Sequence, residues 1–546
     1  MKPALFSVLL LHLAEAAFGL PTQETFSVPV QVSKASKQRP LRGRFLHITD
    51  LHPDPHYRFN GTIASACHRK KPKSDPERGG VYGAPRSDCD SSLALIDHVM
   101  NWLEKEWVDE IDFVLWTGDS ARHDNDRIVP RTPSEIYELN RLLVSKMEKI
   151  FGKRGIPVVP SLAHNIMSAG PNAITQEFSS IWRPYIPFPS YQVFARGGYF
   201  SREIIPGRLA AISLNTMYFY DSNKAVGGCE WVNRDQGGNQ ADPGNLELDW
   251  LEVQLDDFRS RGIKVWISGH VPPSPGNYFP ECLWRYTAIV LRYQDTVVGQ
   301  VFGHMNVDFF FYLDAHDLRA PVTEGESTVG MLKKDKDKKL HRDLVSDFAE
   351  LPKLRKLDMD DFSIVNVAPA IVPNPYMPGI RVWGYNVTGW ENQTAVTLKN
   401  PDREHRHRHP DKERCKRAED KKKWWCKMPK REWYSDADAP SRKNGLWSPL
   451  GYAQFWLPDL RVDGTGPPEW ELEYATYQNV HDPRTQDGWR PIPARMVSEL
   501  KNKDMNKVLP YGMEDGTIGS WMKLARRIGQ KKRTLREDFR RLMYME

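Results

Sequence analysis

Four short phrases set aspartate and histidine directly after apolar runs. Asp50-Leu51-His52 follows residues 45–49, Gly118-Asp119 follows 113–117, Gly269-His270 follows 265–268, and Gly303-His304, with Asn306 just beyond, follows 297–302. Carboxylates and imidazoles together suit divalent cations such as Zn²⁺, Mn²⁺ or Fe. A carboxylate such as Asp119 can bridge two ions about 3.5–4 Å apart with a hydroxide between them. The cations stabilise that hydroxide near neutral pH, and they neutralise phosphoryl oxygens during in-line attack. A single strand-end Asp or His is usually a loop hydrogen-bonder. Four such elements in the order DxH, GD, GH, GHxN point instead to one phosphoesterase site, with Asp119 and His270 in the catalytic roles.

The elements that must position these residues can be read from periodicity. Strands are predicted over 45–49, 113–117, 157–162, 209–214, 265–268, 297–302 and 307–313, with later ones at 362–367 and 380–387. Helices are predicted from the Ser91–Ser92 cap through Leu103, and over 135–150, 246–258 and 283–293, where apolar residues recur at helical spacing. Alternation of this kind implies an α/β protein with helices covering the sheet faces. The ligand phrases then fall at the C-terminal ends of strands, where open α/β sheets build their sites. Glycine before each of Asp119, His270 and His304 permits close backbone approach. The run Lys333–Lys339 is too charged for a core element. The stretch from about Asn400 to Lys443, with Trp424 and Trp425 adjacent, reads as a basic, His-rich insertion, and 523–541 as a second basic segment.

The chain has 546 residues, a net charge of +6 and six cysteines. The start, Met1-Lys2-Pro3 followed by an apolar stretch to Leu20, is short for a membrane span and fits a signal peptide; a signal anchor is the alternative. An even cysteine count suits an oxidising compartment, with nearest-neighbour pairing expected: Cys67 with Cys89, Cys229 with Cys282, Cys415 with Cys426. None has CxxC spacing, which argues against a zinc or redox motif. Asn60, Asn386 and Asn392 head sequons and are candidate glycosylation sites.

The phrases FLHITDLHPDPHY (45–57), FVLWTGDSARHDND (113–126), SGHVPPSPG (268–276) and FGHMNVDFF (302–310) resemble the calcineurin-like metallophosphoesterase superfamily. More narrowly they resemble its acid-sphingomyelinase-related branch, and within it the fungal vacuolar endopolyphosphatases. The resemblance covers about residues 40–390. It implies a four-layer αββα sandwich holding two divalent ions, with Mn, Co, Mg, Zn and Fe all compatible. Asp50 and His52 would ligate the first ion, Asp119 would bridge, and His270 and His304 would ligate the second. Asn306 stands where most relatives have a first-metal histidine, and an amide oxygen is the poorer ligand. One departure is larger. Relatives carry a Gly-Asn phrase after the strand at 158–162, whereas this chain reads Ser161-Leu162-Ala163-His164-Asn165. Either a mis-joined exon or a real deletion accounts for this, and His164 or Asn165 is the only local substitute.

The expected organisation is a signal peptide or anchor (1–20), a linker (21–42), the metallophosphoesterase domain (43–390, with a charged insertion near 331–345) and a basic, partly disordered C-terminal extension (391–546). The resemblance implies metal-dependent internal hydrolysis of inorganic polyphosphate in a vacuole, reached through the secretory pathway. It implies maturation by vacuolar proteases and no specific nucleic-acid partner. The alternatives are a sphingomyelinase-like phosphodiesterase, a catalytically impaired polyanion-binding protein, and secretion in place of vacuolar delivery. The basic run from Arg403 to Lys423 would hold a polyanion or be a solvated surface.

Overall fold

Short apolar runs buried along their whole length become central strands, because only a strand covered on both faces can use such a run. The computed structural model describes residues 40–163, 170–229, 242–316, 318, 337–390, 433–461, 466–478, 492–493, 495–496, 504–530 and 533–546. Its strands are β1 (Arg44–Ile48), β2 (Pro53–Asp54), β3 (Ser91–Ser92), β4 (Phe113–Trp116), β5 (Val158–Pro160), β6 (Phe200–Ile205), β7 (Leu209–Ser213), β8 (Lys264–Ser268), β9 (Val297–Phe302), β10 (Phe309–Asp314), β11 (Phe362–Val367), β12 (Gly379–Tyr385), β13 (Pro449–Trp456) and β14 (Glu471–Ala475). One six-stranded sheet has the order β14-β13-β12-β1-β4-β5 and the other β10-β11-β9-β8-β7-β6; β2 and β3 form a small parallel pair. In the first sheet β1, β4 and β5 are parallel and β12–β14 add antiparallel. In the second, β7, β8, β9 and β11 are parallel, with β6 and β10 as antiparallel edges.

The two sheets pack face to face. Phe45 stacks on Phe113 at 4.6 Å and meets Trp266 of the other sheet edge-on at 4.8 Å, while Trp266 also contacts Trp383 at 5.5 Å. Such aromatic pairs are worth about 0.5–1.5 kcal/mol each beyond area burial. Ser213 Oγ donates to the Pro160 carbonyl at 2.7 Å, stitching the sheets at the end nearest the ligand phrases. Helix Leu93–Glu106 is capped by Ser92, which accepts from the Leu95 amide at 3.1 Å. It sets Trp102 and Trp107 against Phe455 of β13. On the other side, helix Pro280–Arg292 sends Tyr286 to Gln300 of β9. Helices therefore flank a double sheet, the four-layer α/β/β/α sandwich.

The expected domain boundary near 390 needs correction. Leu41–Glu546 form one compact unit, and β13 and β14 pair onto β12 to complete the first sheet. Helix Ile518–Gly529 lies in the supposed basic tail, yet it buries Trp521 against Phe310 at 4.6 Å. The reason is amphipathicity: arginines and lysines mark one face and conceal an apolar stripe through Trp521, Met522, Leu524, Ala525 and Ile528. Similarly, helix Asp337–Glu350 begins inside the charged insertion and buries Leu344 and Phe348. No helix among the described residues is long and apolar enough to cross a membrane. Residues 1–39 and the basic run 403–423, with Trp424 and Trp425, lie outside the described residues.

Candidate metal centre

Backbone conformation already sets the ligand phrases apart. Asp50, His52, Asp119, His304 and Asn306 have φ of 50°, 40°, 56°, 72° and 54°. A left-handed conformation costs an L-residue about 1–2 kcal/mol and persists only where the surroundings impose it, which happens most at functional sites. Here the imposing contacts are visible. The amides of Asp50 and Leu51 donate to the carbonyls of Gly118 and Asp119, both at 3.0 Å, and the Val372 amide donates to the Asp50 carbonyl at 2.9 Å. The turns after β1 and β4 thus lock each other. Glycine is required where they meet the second sheet: a Cβ on Gly303 would lie 2.0 Å from Thr49 Oγ1 and 2.6 Å from Asp50 Oδ2.

These turns bring the side chains together. His52 Nε2 lies 3.2 Å from Asp119 Oδ2 and 3.7 Å from Asp50 Oδ1. Asp50, His52 and Asp119 offer ligand atoms all within 4.8 Å of one another, a group able to hold a cation. From the second sheet, His270 Nε2 approaches Asp119 Oδ2 at 3.5 Å and His304 Nδ1 at 3.2 Å. His270 Nδ1 sits 2.9 Å from the Thr117 carbonyl, to which it donates, so the lone pair of the neutral ring is on Nε2 and faces Asp119. Fixing a tautomer through the far nitrogen is how proteins prepare a histidine for a metal. The His304 amide donates to Asp50 Oδ2 at 3.0 Å, tying the two sheets' ligand loops together. Asn306 Nδ2 donates to the Asn374 carbonyl at 2.7 Å, while its Oδ1 is buried and accepts no hydrogen bond among the described residues. A buried oxygen held in that way fits a cation.

The electrostatics agree. Burial pushes the His52 imidazole down, but Asp119, Asp50 and Asp90 outweigh it and hold the ring well above its usual range. Burial likewise pushes Asp50 up, and His270 and His52 overcome it, leaving its carboxyl below the ordinary value. Three carboxylates around one imidazole make a concentration of negative charge suited to divalent cations.

Two neighbours escaped sequence reasoning. The His123 ring stacks on His52 at 4.2 Å, its Nδ1 and backbone amide both 2.7 Å from the Asp90 carboxylate, and Asp90 Oδ1 is 3.8 Å from His52 Nδ1. His52, Asp90 and His123 form a second group with metal-ligand spacing. Beyond them, buried His68 bridges Asp54 and Asp126, at 2.9 Å to each, and Arg122 clasps Glu135. The available signals were the position of Asp90 beside a disulfide cysteine and of His123 four residues after Asp119. Neither follows a predicted strand.

Of the remaining candidates, Cys67 pairs with Cys89 and Cys229 with Cys282; Cys415 and Cys426 lie outside the described residues. Asn60 is exposed at a turn. Asn386, just past the end of β12, is 7 % exposed; its side-chain amide donates to Asn444 Oδ1 at 2.8 Å, and its backbone pairs with Trp447 and Ser448 ahead of β13. Asn392, His164 and Asn165 lie outside the described residues. The chain leaving β5 passes directly beside the bridging position, since a Cβ on Gly118 would meet the Ser161 carbonyl at 2.7 Å and Ala163 Cβ at 2.8 Å.

The sequence is 37% identical over 671 aligned positions, covering 97% of both chains, to an endopolyphosphatase of Cryptococcus neoformans. It is 36% identical over 421 positions to an endopolyphosphatase of Schizosaccharomyces pombe, covering 72% of this chain and 70% of the relative. A third, from Saccharomyces cerevisiae, is 31% identical over 456 positions, with 70% and 66% covered. The Cryptococcus alignment is longer than this chain, so that relative carries segments with no counterpart here. No protein-family model matches. Among solved structures, a dimetal phosphatase from Danio rerio covers 63% of this chain and 93% of its own at 11% identity and a TM-score of 0.31, too loose a likeness to argue from.

Proposed function

The chain belongs to the endopolyphosphatase family, and from that premise we propose that it hydrolyses inorganic polyphosphate at internal phosphoanhydride bonds. The observation that carries the reading is the convergence of Asp50, His52, Asp119, His270 and His304 from the facing edges of two sheets. We assign Asp50, His52, Asp119 and Asn306 to one divalent ion, and Asp119, His270 and His304 to a second. Such ions, when bound, supply charge neutralisation for phosphoryl oxygens and acidify water. The chain's own residues do the rest. His270 is oriented through Thr117, and His304 through Asp50. His123, gripped by Asp90 at Nδ1, is placed to give the Nε2 proton of its doubly protonated ring to the departing phosphate as water adds to the attacked phosphorus and the bridging P–O bond breaks.

Long-chain polyphosphate with Mn²⁺, Co²⁺, Mg²⁺ or Zn²⁺ tests the reading by gel electrophoresis. Fragments of intermediate length are expected. Cleavage of choline-phosphate esters alone would replace it with the phosphodiesterase alternative. A catalytically impaired polyanion-binding protein is kept as a second reading because Ser161-Leu162-Ala163 stands beside Gly118 where relatives have Gly-Asn. Retarded polyphosphate without cleavage would support that second reading. We also propose a vacuolar lumenal location, which the two closed disulfides support. Recovery of the protein in a cytosolic fraction with reduced cysteines would refute it.

A further inference from the structure

The loop between β2 and β3 is an excursion whose two stems belong to the site. Ahead of it, His52 follows β1 and Asp54 ends β2; at its end, Asp90 faces His52 and His123. It returns there because the Cys67–Cys89 disulfide closes it and buried His68 pins it to both Asp54 and Asp126. Its backbone is held from within. Thr62 Oγ1 donates to the Lys71 carbonyl at 2.7 Å, Ser65 Oγ to the Arg69 carbonyl at 3.0 Å, and Arg78 to the Lys70 carbonyl at 3.2 Å. Gly61 is packed so closely that a Cβ would come 2.3 Å from the Cys67 carbonyl oxygen. What this braced lobe presents to solvent is charge. Lys70, Lys71 and Lys73 are exposed, and among the described residues none of the three makes an ion pair. Nearby Asp75 forms no ion pair with them; its carboxylate accepts the amides of Ala64 and Glu77 at 3.1 and 3.0 Å.

Exposed cations on a braced lobe whose stems reach the candidate metal site suit a substrate whose charge extends past the bond being cut. We propose that residues 55–89 form a polyanion-guiding wall, with Lys70, Lys71 and Lys73 gripping the phosphate chain outside the cleaved linkage and so favouring long chains over short ones. The inference rests on the polyphosphate reading above. A polyanion carries charge at every phosphate, so its binding releases counterions and falls with salt in proportion to the contacts made. A compact phosphate ester ending at the cleaved bond has no further phosphates to offer such lysines, whereas a long chain does.

The test is a combined Lys70→Gln, Lys71→Gln, Lys73→Gln variant of the full chain, with a Lys→Arg triple as the charge-retaining control. KM is measured against salt for long-chain polyphosphate and for tripolyphosphate. For the Gln variant the long-chain KM should rise about tenfold more than the tripolyphosphate KM, and the log–log salt slope should drop by about two to three; the Arg variant should track wild type. An unchanged long-chain KM and slope, or an equal rise on both substrates, overturns the proposal. If the wild-type chain cleaves no polyphosphate, the functional reading falls by itself. Gel retardation of long-chain polyphosphate then decides the wall: loss in the Gln variant upholds it, and equal retardation overturns it.

Discussion

Asn306 is the ligand candidate whose environment is most specific to this chain. Its amide nitrogen is committed to Asn374, so its oxygen is presented in a single orientation, which offsets part of its weakness relative to imidazole. Asn306→Ala should therefore weaken Mn²⁺ binding about 10–100-fold by titration calorimetry, the range expected when a metal site loses a supporting partner. An unchanged affinity would remove Asn306 from the site. His123 makes the opposite prediction. As a proton donor gripped by Asp90, its replacement by alanine should lower kcat about 10²–10⁴-fold while metal affinity moves far less. Asp50, His52, Asp119, His270 and His304 were legible in sequence because each follows an apolar strand, and a strand's C-terminal end is a fixed place in this architecture. Asp90 and His123 were not legible, since they reach His52 only through loops, that of Asp90 being closed by the Cys67–Cys89 disulfide and pinned by buried His68.

At the scale of elements, the site depends on how tightly the loops after β1, β4 and β9 interlock. Gly303 passes against Thr49 and Asp50 with no room for a methyl group, and its neighbour His304 is already in left-handed backbone. Gly303→Ala should cost about 1–3 kcal/mol in denaturant unfolding, the usual cost of overpacking, and metal affinity should be lost with it. A fully stable, metal-binding variant would show that the loops have slack. The loop after β5 carries the other expectation. Inserting Gly-Asn-Asn-Asp after Leu162, beside Gly118, should raise the divalent-ion stoichiometry measured by calorimetry, or tighten the weaker of two sites. No change in either would mean that the segment following Ala163 already completes the site. The strands at the centre were readable from continuous apolar runs, whereas β13 and β14 were hidden because they are reached through a long basic stretch.

Across the whole molecule, buried acids far from the metal centre bias stability toward acid. Burial pushes Glu473 up to about 8, with Gln454 opposing and Asp308 reinforcing it, and burial with Glu350 and Asp343 pushes Asp347 up to about 6. Each value lies above that of the unfolded chain. The stability each contributes is therefore fully present at low pH and is lost as pH rises through its folded value. Asp126, held down chiefly by Arg69, and Asp90, held down by His123 against burial, act in reverse: their contributions are lost as pH falls below the ordinary carboxylate range. The thermal midpoint should thus fall between about pH 5 and about pH 8, and Glu473→Gln should flatten that decline. A wild-type midpoint that rises over the same interval would exclude this account. Such a profile suits an acidic lumen.

The sequence by itself determined the layered α/β architecture, the family and five strand-end ligand candidates, because strand periodicity and local glycine requirements are written in neighbouring residues. Only the tertiary structure decided what surrounds them: the His123–Asp90 pair, the lysine-bearing loop pinned by His68, the burial of Asn386, and the completion of the first sheet by β13 and β14. Each of these depends on contacts between segments far apart in the chain. No local spacing encodes such contacts, and only the packing of two sheets and their loops brings them about.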